Sequence, residues 1–230
     1  SGTPEVSTSQ PSPGTFVAAY RALADRGVSA IVSVHIGSAL SGTVNSARVA
    51  AADSPLPTRI VDTGTASVGV TFSAWEAADT AARGATLDEV VAAARRVGGL
   101  VGNIFVVRAL DLARAGGRLA ETTGGEHEAE ESTTIPVLTL TGGAMRPVGQ
   151  ASDVDQAARI MADHVRAAGS SLRVGVSVAD RGTLPMVEAL EALLRDAPEV
   201  RELIRYRVGP SVGVHTGPGA VGAMFYSAPD

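Results

Sequence analysis

The 230-residue chain contains no cysteine and no lysine, since all 19 of its basic residues are arginine. Without cysteine, disulfides and thiolate chemistry are excluded. Without lysine, Schiff-base catalysis and the lysine of a phosphate-binding P-loop are excluded as well. A chain without disulfides fits the cytoplasm, which is the location we expect.

Aromatic residues and positive charge are also scarce. Aromatics make up 3% of the chain, and the formal net charge is −5. Few aromatic rings argue against a stacking platform for single-stranded nucleic acid. A net negative charge argues against a nucleic-acid partner, because binding requires basic residues that neutralise the phosphate backbone. We therefore expect no nucleic-acid partner.

Long apolar runs are missing too. No stretch is apolar over the length that a bilayer requires. The first residues, rich in serine, threonine and proline, lack the basic and apolar regions of a signal peptide. Hydrophobic residues still make up 45% of the chain, enough for a substantial core. We expect a globular protein that makes at most transient contact with a membrane.

Strand and helix patterns alternate through the first half of the chain, which favours a parallel sheet covered by helices. A polar stretch from Ala120 to Thr134 follows and is rich in glutamate. We interpret it as a mobile surface segment or a domain boundary. The helices predicted before it are 12–25, 42–52, 68–83, 87–97 and 110–115, and the strands are 30–36, 59–62 and 103–107.

The second half favours mixed α/β structure with antiparallel strand pairs. A hairpin is predicted around Gly142-Gly143 because two apolar stretches flank these glycines. We expect two domains, residues 1–133 and 134–230. The predicted strands are 135–140, 145–149, 172–178, 204–208, 212–215 and 224–226, and the predicted helices are 154–168 and 183–194.

Two sequence patterns imitate known motifs. Residues 217–222 match the letters of the dinucleotide fingerprint, but no βαβ unit with a downstream acidic residue follows, so we interpret them as a tight turn. Residues 175–179 resemble the nucleophile elbow of hydrolases. They lack its last glycine, and valines flank Ser177, which favours the interior of a strand.

The four histidines show no spacing typical of metal ligands, so we expect no metal site. His127 and His164 are expected to face solvent. His35, at the end of a predicted buried strand, is expected to pair with backbone, with a place at the border of the pocket as the alternative. His215 lies at a predicted strand end beside Thr216 and two glycines, and it is the histidine that we expect to be functional.

Three short motifs combine hydroxyls with glycines at places where a strand or loop leads into a helix: residues 8–13, 40–43 and 215–219. Such places present backbone N–H groups to an anionic group. Singly, Thr8 and Ser41 are more typical of helix caps. As a set, the motifs predict one polar pocket.

The same residues leave two other functions open. Ser41 and His215, with Asp62, allow a serine esterase or thioesterase, because a catalytic triad is defined by geometry rather than by sequence order. The pocket also suits anionic amphiphiles of other kinds.

In this order and wording, the three motifs resemble the signature of the DegV family of bacterial fatty-acid-binding proteins, which includes the carrier subunits of bacterial fatty acid kinase. Val61-Asp62-Thr63 resembles a strand-end Asp-Ser of that family, and Gly116-Gly117-Arg118 resembles its Gly-Gly-Arg turn. The resemblance runs from Thr8 to Phe225. It implies a two-domain fold, with a three-layer parallel α/β domain, a two-layer mixed-sheet domain and the ligand between them.

The resemblance also implies a long-chain fatty acid as ligand. Each buried methylene gains about 0.8 kcal/mol, whereas a buried carboxylate requires hydrogen-bond donors. On this basis the protein is a carrier without a catalytic residue or cofactor, and it presents the carboxylate to a partner fatty acid kinase. The carboxylate contacts that the resemblance implies are Thr8, Ser41 and His215, with Ser9, Thr43, Thr216 and Gly217 as neighbours.

The chain departs from the family pattern in two regions. Family members usually begin with a strand ending in Thr-Asp-Ser, whereas seven residues precede Thr8 here. Either the chain is shortened or that strand belongs to a preceding part of the protein. Beyond Arg118, residues 134–136 replace a Lys-Pro, and residues 150–152 stand where an arginine is expected. Because these positive groups are associated with kinase docking, we expect a poor kinase substrate carrier unless Arg118 or Arg146 compensates.

Overall fold

The structure is a computed structural model that describes residues 7–107, 134–141, 144–217 and 219–228. They divide into two compact units, Ser7–Val101 and the described part of Gly102–Asp230. None of the described helices is long and apolar enough to cross a membrane. The following predictions lie outside the described residues: helix 110–115, Gly116-Gly117-Arg118, His127, most of the Ala120–Thr134 stretch and the hairpin glycines 142 and 143.

The first unit alternates helices and strands, as predicted. Its two strands are parallel, and their register runs from Ile31 opposite Thr58 to His35 opposite Asp62. The carboxyl ends of both strands therefore meet at one edge of the sheet. In chain order, the elements are α1 (Pro13–Asp25), β1 (Ile31–His35), α2 (Thr43–Ala51), β2 (Thr58–Asp62), α3 (Val68–Ala82) and α4 (Leu87–Leu100).

Helices cover both faces of this sheet. On one face, Ile31 packs with Tyr20 of α1 and Ala50 of α2. On the other, Val61 packs with residues of α3 and α4, including Ala94. The α-β-α layering of the first unit follows from this alternation of apolar side chains along the strands.

The second unit contains a six-stranded mixed sheet in the order β5-β4-β3-β8-β6-β7. β6 and β7 are parallel, whereas the other neighbouring strands are antiparallel. The predicted hairpin is confirmed as β4 and β5. In chain order, the elements are β3 (Gly102–Val106), β4 (Ile135–Thr141), β5 (Ala144–Ala151), α5 (Val154–Arg166), β6 (Leu172–Val178), a 3₁₀ turn (Arg181–Thr183), α6 (Leu184–Arg195), β7 (Val200–Arg207), α7 (Pro210–Thr216) and β8 (Val221–Ser227).

The core of the second unit lies between one face of the sheet and two helices. Met161 of α5 and Leu190 of α6 are fully buried there against Ile104, Val174 and Val176 of the strands. Alternate residues of β6 and β8 point to this face, which gives the sheet its apolar stripe.

The division of the chain differs from the predicted one. β3 was predicted as part of the first domain, but its residues pair with β8, with Gly102 opposite Phe225 and Val106 opposite Val221. The described residues therefore divide between Val101 and Gly102. Strand pairing with the end of the chain decides this division, and no local change in composition marks it.

The strand predicted at 212–215 is wrong, because these residues form part of α7. Pro210 occupies the first turn, and the N–H of Gly213 donates to the carbonyl oxygen of Gly209 at 2.9 Å. The alternating valines imitate a strand. His215 consequently lies in the last turn of a helix and not at a strand end.

Two neighbouring glycines of α4 test the packing of the first unit. A Cβ on Gly98 would lie 2.5 Å from the carbonyl oxygen of Thr63, whereas a Cβ on Gly99 would meet nothing within 4 Å. We expect Gly98→Ala to lower the free energy of unfolding by about 2 kcal/mol, since the helix must move away from backbone. Gly99→Ala is expected to raise it by up to about 1 kcal/mol through helix propensity. Urea denaturation of both variants measures the difference, and equal stabilities would contradict this packing.

Candidate functional site

The first two hydroxyl motifs meet in the first unit. The side chain of Gln10 lies over Gly42, where an added Cβ would come within 2.8 Å of its Cδ and Oε1 atoms. Thr8 and Ser9, which are exposed, precede Gln10 directly in the chain. The structure thereby brings two of the three motifs into contact, through Gln10 and Gly42.

Ser41 and Thr43 form a pair of half-buried hydroxyls at the N-terminus of α2. Their oxygen atoms lie 2.8 Å apart, and Ser41 Oγ also accepts the N–H of Thr43 at 3.3 Å. Ser41 was predicted as the N-cap of this helix, but Gly42 occupies that position. Ser41 still accepts an N–H of the first turn, that of Thr43. Since one hydroxyl proton suffices for the contact between the two oxygens, the other is available to an outside acceptor.

Asp62 connects this turn to the loop that follows β2. Its Oδ1 atom accepts the N–H groups of Ser38 and Gly64, each at 3.1 Å. Burial acts to raise the pKa of Asp62, but the hydrogen bonds from Ser38 and Gly64 and the charge of Arg48 outweigh it and lower the pKa. The carboxylate is therefore ionised at neutral pH and holds the two loops together.

Close backbone contact reinforces this connection. An added Cβ on Gly37 would lie 2.8 Å from the carbonyl carbon of Gly64, so there is no room for a side chain at Gly37. The N–H of Gly37 donates to the carbonyl oxygen of Thr65 at 2.8 Å. The Thr63 hydroxyl donates to the carbonyl oxygen of His35 at 2.8 Å. The position of the Ser41 turn is thus fixed relative to the carboxyl ends of both strands.

His35 is buried in a chain of side-chain hydrogen bonds. Its Nε2 atom lies 2.7 Å from Ser33 Oγ, which also accepts the Tyr20 hydroxyl at 3.0 Å, and Phe16 contacts the ring edge-on. The predicted backbone pairing of the ring is wrong, since its partner is a serine. Burial lowers the pKa of His35, and the charge of Asp62 only partly opposes this effect. The imidazole is therefore neutral at pH 7.

The third motif lies in the second unit, around the end of α7. His215 and Thr216 are half-buried, and the Thr216 hydroxyl donates to the carbonyl oxygen of Val212 at 3.3 Å. Gly217 and Gly219 have φ values of 74° and 77°, which favour glycine and agree with the predicted tight turn.

The glycine N–H groups of this motif already have partners, contrary to our expectation that they are open to an anion. Gly217 donates to the carbonyl oxygen of Gly213 at 2.9 Å, and Gly219 donates to Asp180 Oδ2 at 3.1 Å. Binding by this motif must therefore rely on side chains, with the His215 imidazole as its main candidate. That all three motifs share one pocket stays a prediction.

Asp180 is a residue that the sequence analysis missed. It lies two residues beyond the end of β6, and its Oδ1 atom accepts the N–H of Gly182 at 2.8 Å. An Asp-x-Gly sequence after a strand is a typical signal for such a turn. No local sequence pattern predicts its contact with Gly219, which lies 39 residues away in the chain.

Two further predictions about single residues have opposite outcomes. Ser177 is confirmed as the interior of a strand, since its hydroxyl donates to the carbonyl oxygen of Gly222 at 3.1 Å and accepts the Gly222 N–H at 2.8 Å. His164 was expected to face solvent, but its half-buried ring packs edge-on against Phe225, and burial lowers its pKa.

Within the described ranges, no three histidine, aspartate or glutamate residues cluster as a metal site requires.

A family profile described as "uncharacterised protein, DegV family" matches residues 2–228. The chain belongs to the DegV family. It is 35% identical to a DegV domain-containing protein of Streptomyces coelicolor, over 96% of this chain and 79% of that protein. It is 34% identical to one of Deinococcus radiodurans, over 94% and 76% of the two chains.

Solved DegV structures have the same fold. A DegV family protein from Thermus thermophilus, described by its fatty acid binding, aligns with a TM-score of 0.79 and 31% identity over 96% of this chain and 79% of its own. A protein from Thermotoga maritima, described as revealing a fatty acid binding function, aligns with a TM-score of 0.81 and 28% identity over 99% and 79%. The mixed α/β architecture is thus that of the DegV proteins.

Substitutions of Asp62 test the connection between the two loops. We expect Asp62→Ala to lower the free energy of unfolding at pH 7 by about 1 kcal/mol, because two N–H groups lose their acceptor at a partly exposed site. Asp62→Asn keeps an acceptor oxygen and is expected to cost less.

The effect of Asp62→Ala depends on pH in a defined direction. Because the folded pKa of Asp62 lies below the unfolded value of about 3.9, its contribution is complete above that value and is lost as pH falls through the folded pKa. Urea denaturation at neutral pH and at about pH 2 measures this dependence. A difference between wild type and Asp62→Ala that persists unchanged in acid would contradict the assignment.

Proposed function

We propose that this protein binds a long-chain fatty acid and that the hydroxyl motifs bind its carboxylate. The observation that carries the proposal is the contact of Gln10 with Gly42, since Gln10 directly follows Thr8 and Ser9 in the chain and Gly42 lies between the paired hydroxyls of Ser41 and Thr43. The related proteins from Thermus thermophilus and Thermotoga maritima, described as binding fatty acids, support the choice of ligand.

The chemistry of the Ser41 turn suits a carboxylate. One hydroxyl proton of the Ser41–Thr43 pair is available, and the N-terminus of α2 adds a partial positive charge. In this proposal the His215 imidazole is a further donor to the carboxylate, with Thr216 and Gly217 as its neighbours. A hydrogen bond to a charged group contributes about 1.5–3 kcal/mol, and buried methylenes supply most of the remaining affinity.

We propose a carrier rather than an enzyme. Within the first unit, Ser41 pairs with Thr43 and not with a histidine, and the carboxylate of Asp62 is engaged by loop N–H groups. A serine nucleophile requires a base within hydrogen-bond reach and a third group that orients the base. These contacts favour binding over ester hydrolysis. The proposal involves no metal and no cofactor.

We further propose that the bound carboxylate is presented to a fatty acid kinase, although inefficiently. The support is the order of the motifs together with the replaced basic positions at 134–136 and 150–152. Thr134 and Gln150 lie next to each other at the β4–β5 pairing, with their side chains in contact at 3.4 Å. Arg118 and Arg146 are the arginines expected to compensate for the missing positive groups. Of these two, Arg146 of β5 lies within the described residues, and it is exposed.

Substitution of Ser41 tests fatty acid binding. We expect delipidated protein to bind hexadecanoic acid more tightly than hexadecanol, and Ser41→Ala to weaken acid binding by about tenfold or more because a hydroxyl of the pair is lost. Isothermal titration of both ligands measures the affinities. Ester hydrolysis that disappears in Ser41→Ala would instead support the esterase.

Ser54 offers a matched control for Ser41. It forms the same kind of hydroxyl pair, with Ser54 Oγ 2.7 Å from Thr58 Oγ1, at the opposite end of β2. Ser54→Ala should therefore leave the affinity for hexadecanoic acid unchanged. Equal loss in the two variants, or equal affinity of wild type for acid and alcohol, would contradict the proposed site.

Reconstitution with a fatty acid kinase subunit and ATP tests the kinase proposal. We expect acyl-phosphate formation to be slow because positive groups at the replaced positions are missing. Arg146→Gln should slow it further if this arginine compensates, while leaving the affinity for hexadecanoic acid unchanged. Robust acyl-phosphate formation by the wild-type protein would overturn the expectation of a poor carrier.

A further inference from the structure

Two glycines, Gly217 and Gly219, follow α7 in backbone conformations that other residues rarely adopt. Gly217 and Gly219 both adopt positive φ values, and glycine loses more conformational freedom on folding than other residues. Pro218 carries no N–H, so the segment between the end of α7 and Gly219 offers two N–H groups, those of Gly217 and Gly219. The first continues the hydrogen bonding of α7.

The N–H of Gly219 is held by a side chain from another part of the second unit. It donates to Asp180 Oδ2 at 3.1 Å, while the second carboxylate oxygen, Oδ1, accepts the N–H of Gly182 at 2.8 Å. The carboxylate therefore joins two turns, the one that opens α6 and the one that follows α7. A charged acceptor makes both hydrogen bonds stronger than neutral ones.

Asp180 is itself fixed in place. The Thr183 hydroxyl donates to the carbonyl oxygen of Asp180 at 2.6 Å, and the N–H of Asp180 donates back to that hydroxyl at 3.4 Å. The preceding strand β6 lies inside the six-stranded sheet. A side chain anchored in this way can determine the position of the turn that contains Gly219.

We propose that Asp180 is the positioning residue of the His215–Gly219 segment and thereby sets the preference of the site for a carboxylate. The inference rests on the proposed function, since it assigns His215 and Thr216 to the head group. Asp180 acts through Gly219 and brings no donor of its own, because a carboxylate only accepts hydrogen bonds. Its loss should therefore reduce recognition of the head group and leave recognition of the acyl chain unchanged.

Three variants separate positioning from general stability. Asp180→Ala removes both acceptors, and Asp180→Asn keeps one acceptor oxygen for two N–H groups. Asp153→Ala is the matched control, because it removes the same kind of capping carboxylate at the start of α5, where Asp153 Oδ1 accepts the N–H of Gln156 at 2.7 Å. Two quantities are measured on the full chain: amide hydrogen exchange of Gly219 without ligand, and the ratio of the affinities for hexadecanoic acid and hexadecanol.

We expect Asp180→Ala to speed exchange at Gly219 by about tenfold or more and to lower the acid-to-alcohol ratio by about fivefold to tenfold, with hexadecanol affinity unchanged. Asp180→Asn should shift both quantities in the same direction by less, and Asp153→Ala should leave both near wild type. Unchanged exchange at Gly219 in Asp180→Ala, or faster exchange with an unchanged ratio, would overturn the inference.

Failure of the proposed function is distinguishable from failure of this inference. If wild type shows no preference for the acid, the assigned ligand is wrong, and with it the role of Asp180 in carboxylate preference. The exchange of Gly219 still tests positioning in that case, because it is measured without ligand.

Discussion

The arrangement of the first unit depends on close backbone contact at the carboxyl ends of its two parallel strands. Gly37 lies against Gly64, and Gly98 lies against Thr63, at distances that leave no room for a Cβ. Asp62 adds hydrogen bonds across the same gap. Because backbone meets backbone here, the turn that carries Ser41 has a defined position without a large side chain to support it. The small hydroxyls of this turn are thus supported by rigid backbone.

In the second unit, a side chain rather than close backbone contact holds the motif. This hydroxyl and glycine motif begins in the last turn of a short helix, and Gly217 and Gly219 follow with positive φ values. Asp180 accepts the N–H of Gly219 from a turn that follows β6. Both units therefore support motif residues through neighbours that bind nothing themselves, and those neighbours are the positions where substitution is most informative.

Most of the fold was predictable from local patterns, whereas its long-range contacts were not. Apolar residues at helical spacing predict α4, and a run of β-branched residues predicts β1. The alternating valines of 212–215 predict a strand, but Pro210 starts a helix there. The pairing of β3 with β8 and the contact of Asp180 with Gly219 join residues far apart in the chain, so no local pattern indicates them. The motif residues themselves were identifiable, but their hydrogen-bond partners were not.

Mass spectrometry of the lipid carried by the purified protein tests the central claim most directly. The protein, purified without delipidation, is extracted with organic solvent under denaturing conditions, and the organic phase is analysed. Our account predicts a long-chain fatty acid in near-stoichiometric amount, since buried methylenes give slow release. Absence of lipid, together with no thermal shift when fatty acids are added, would contradict it.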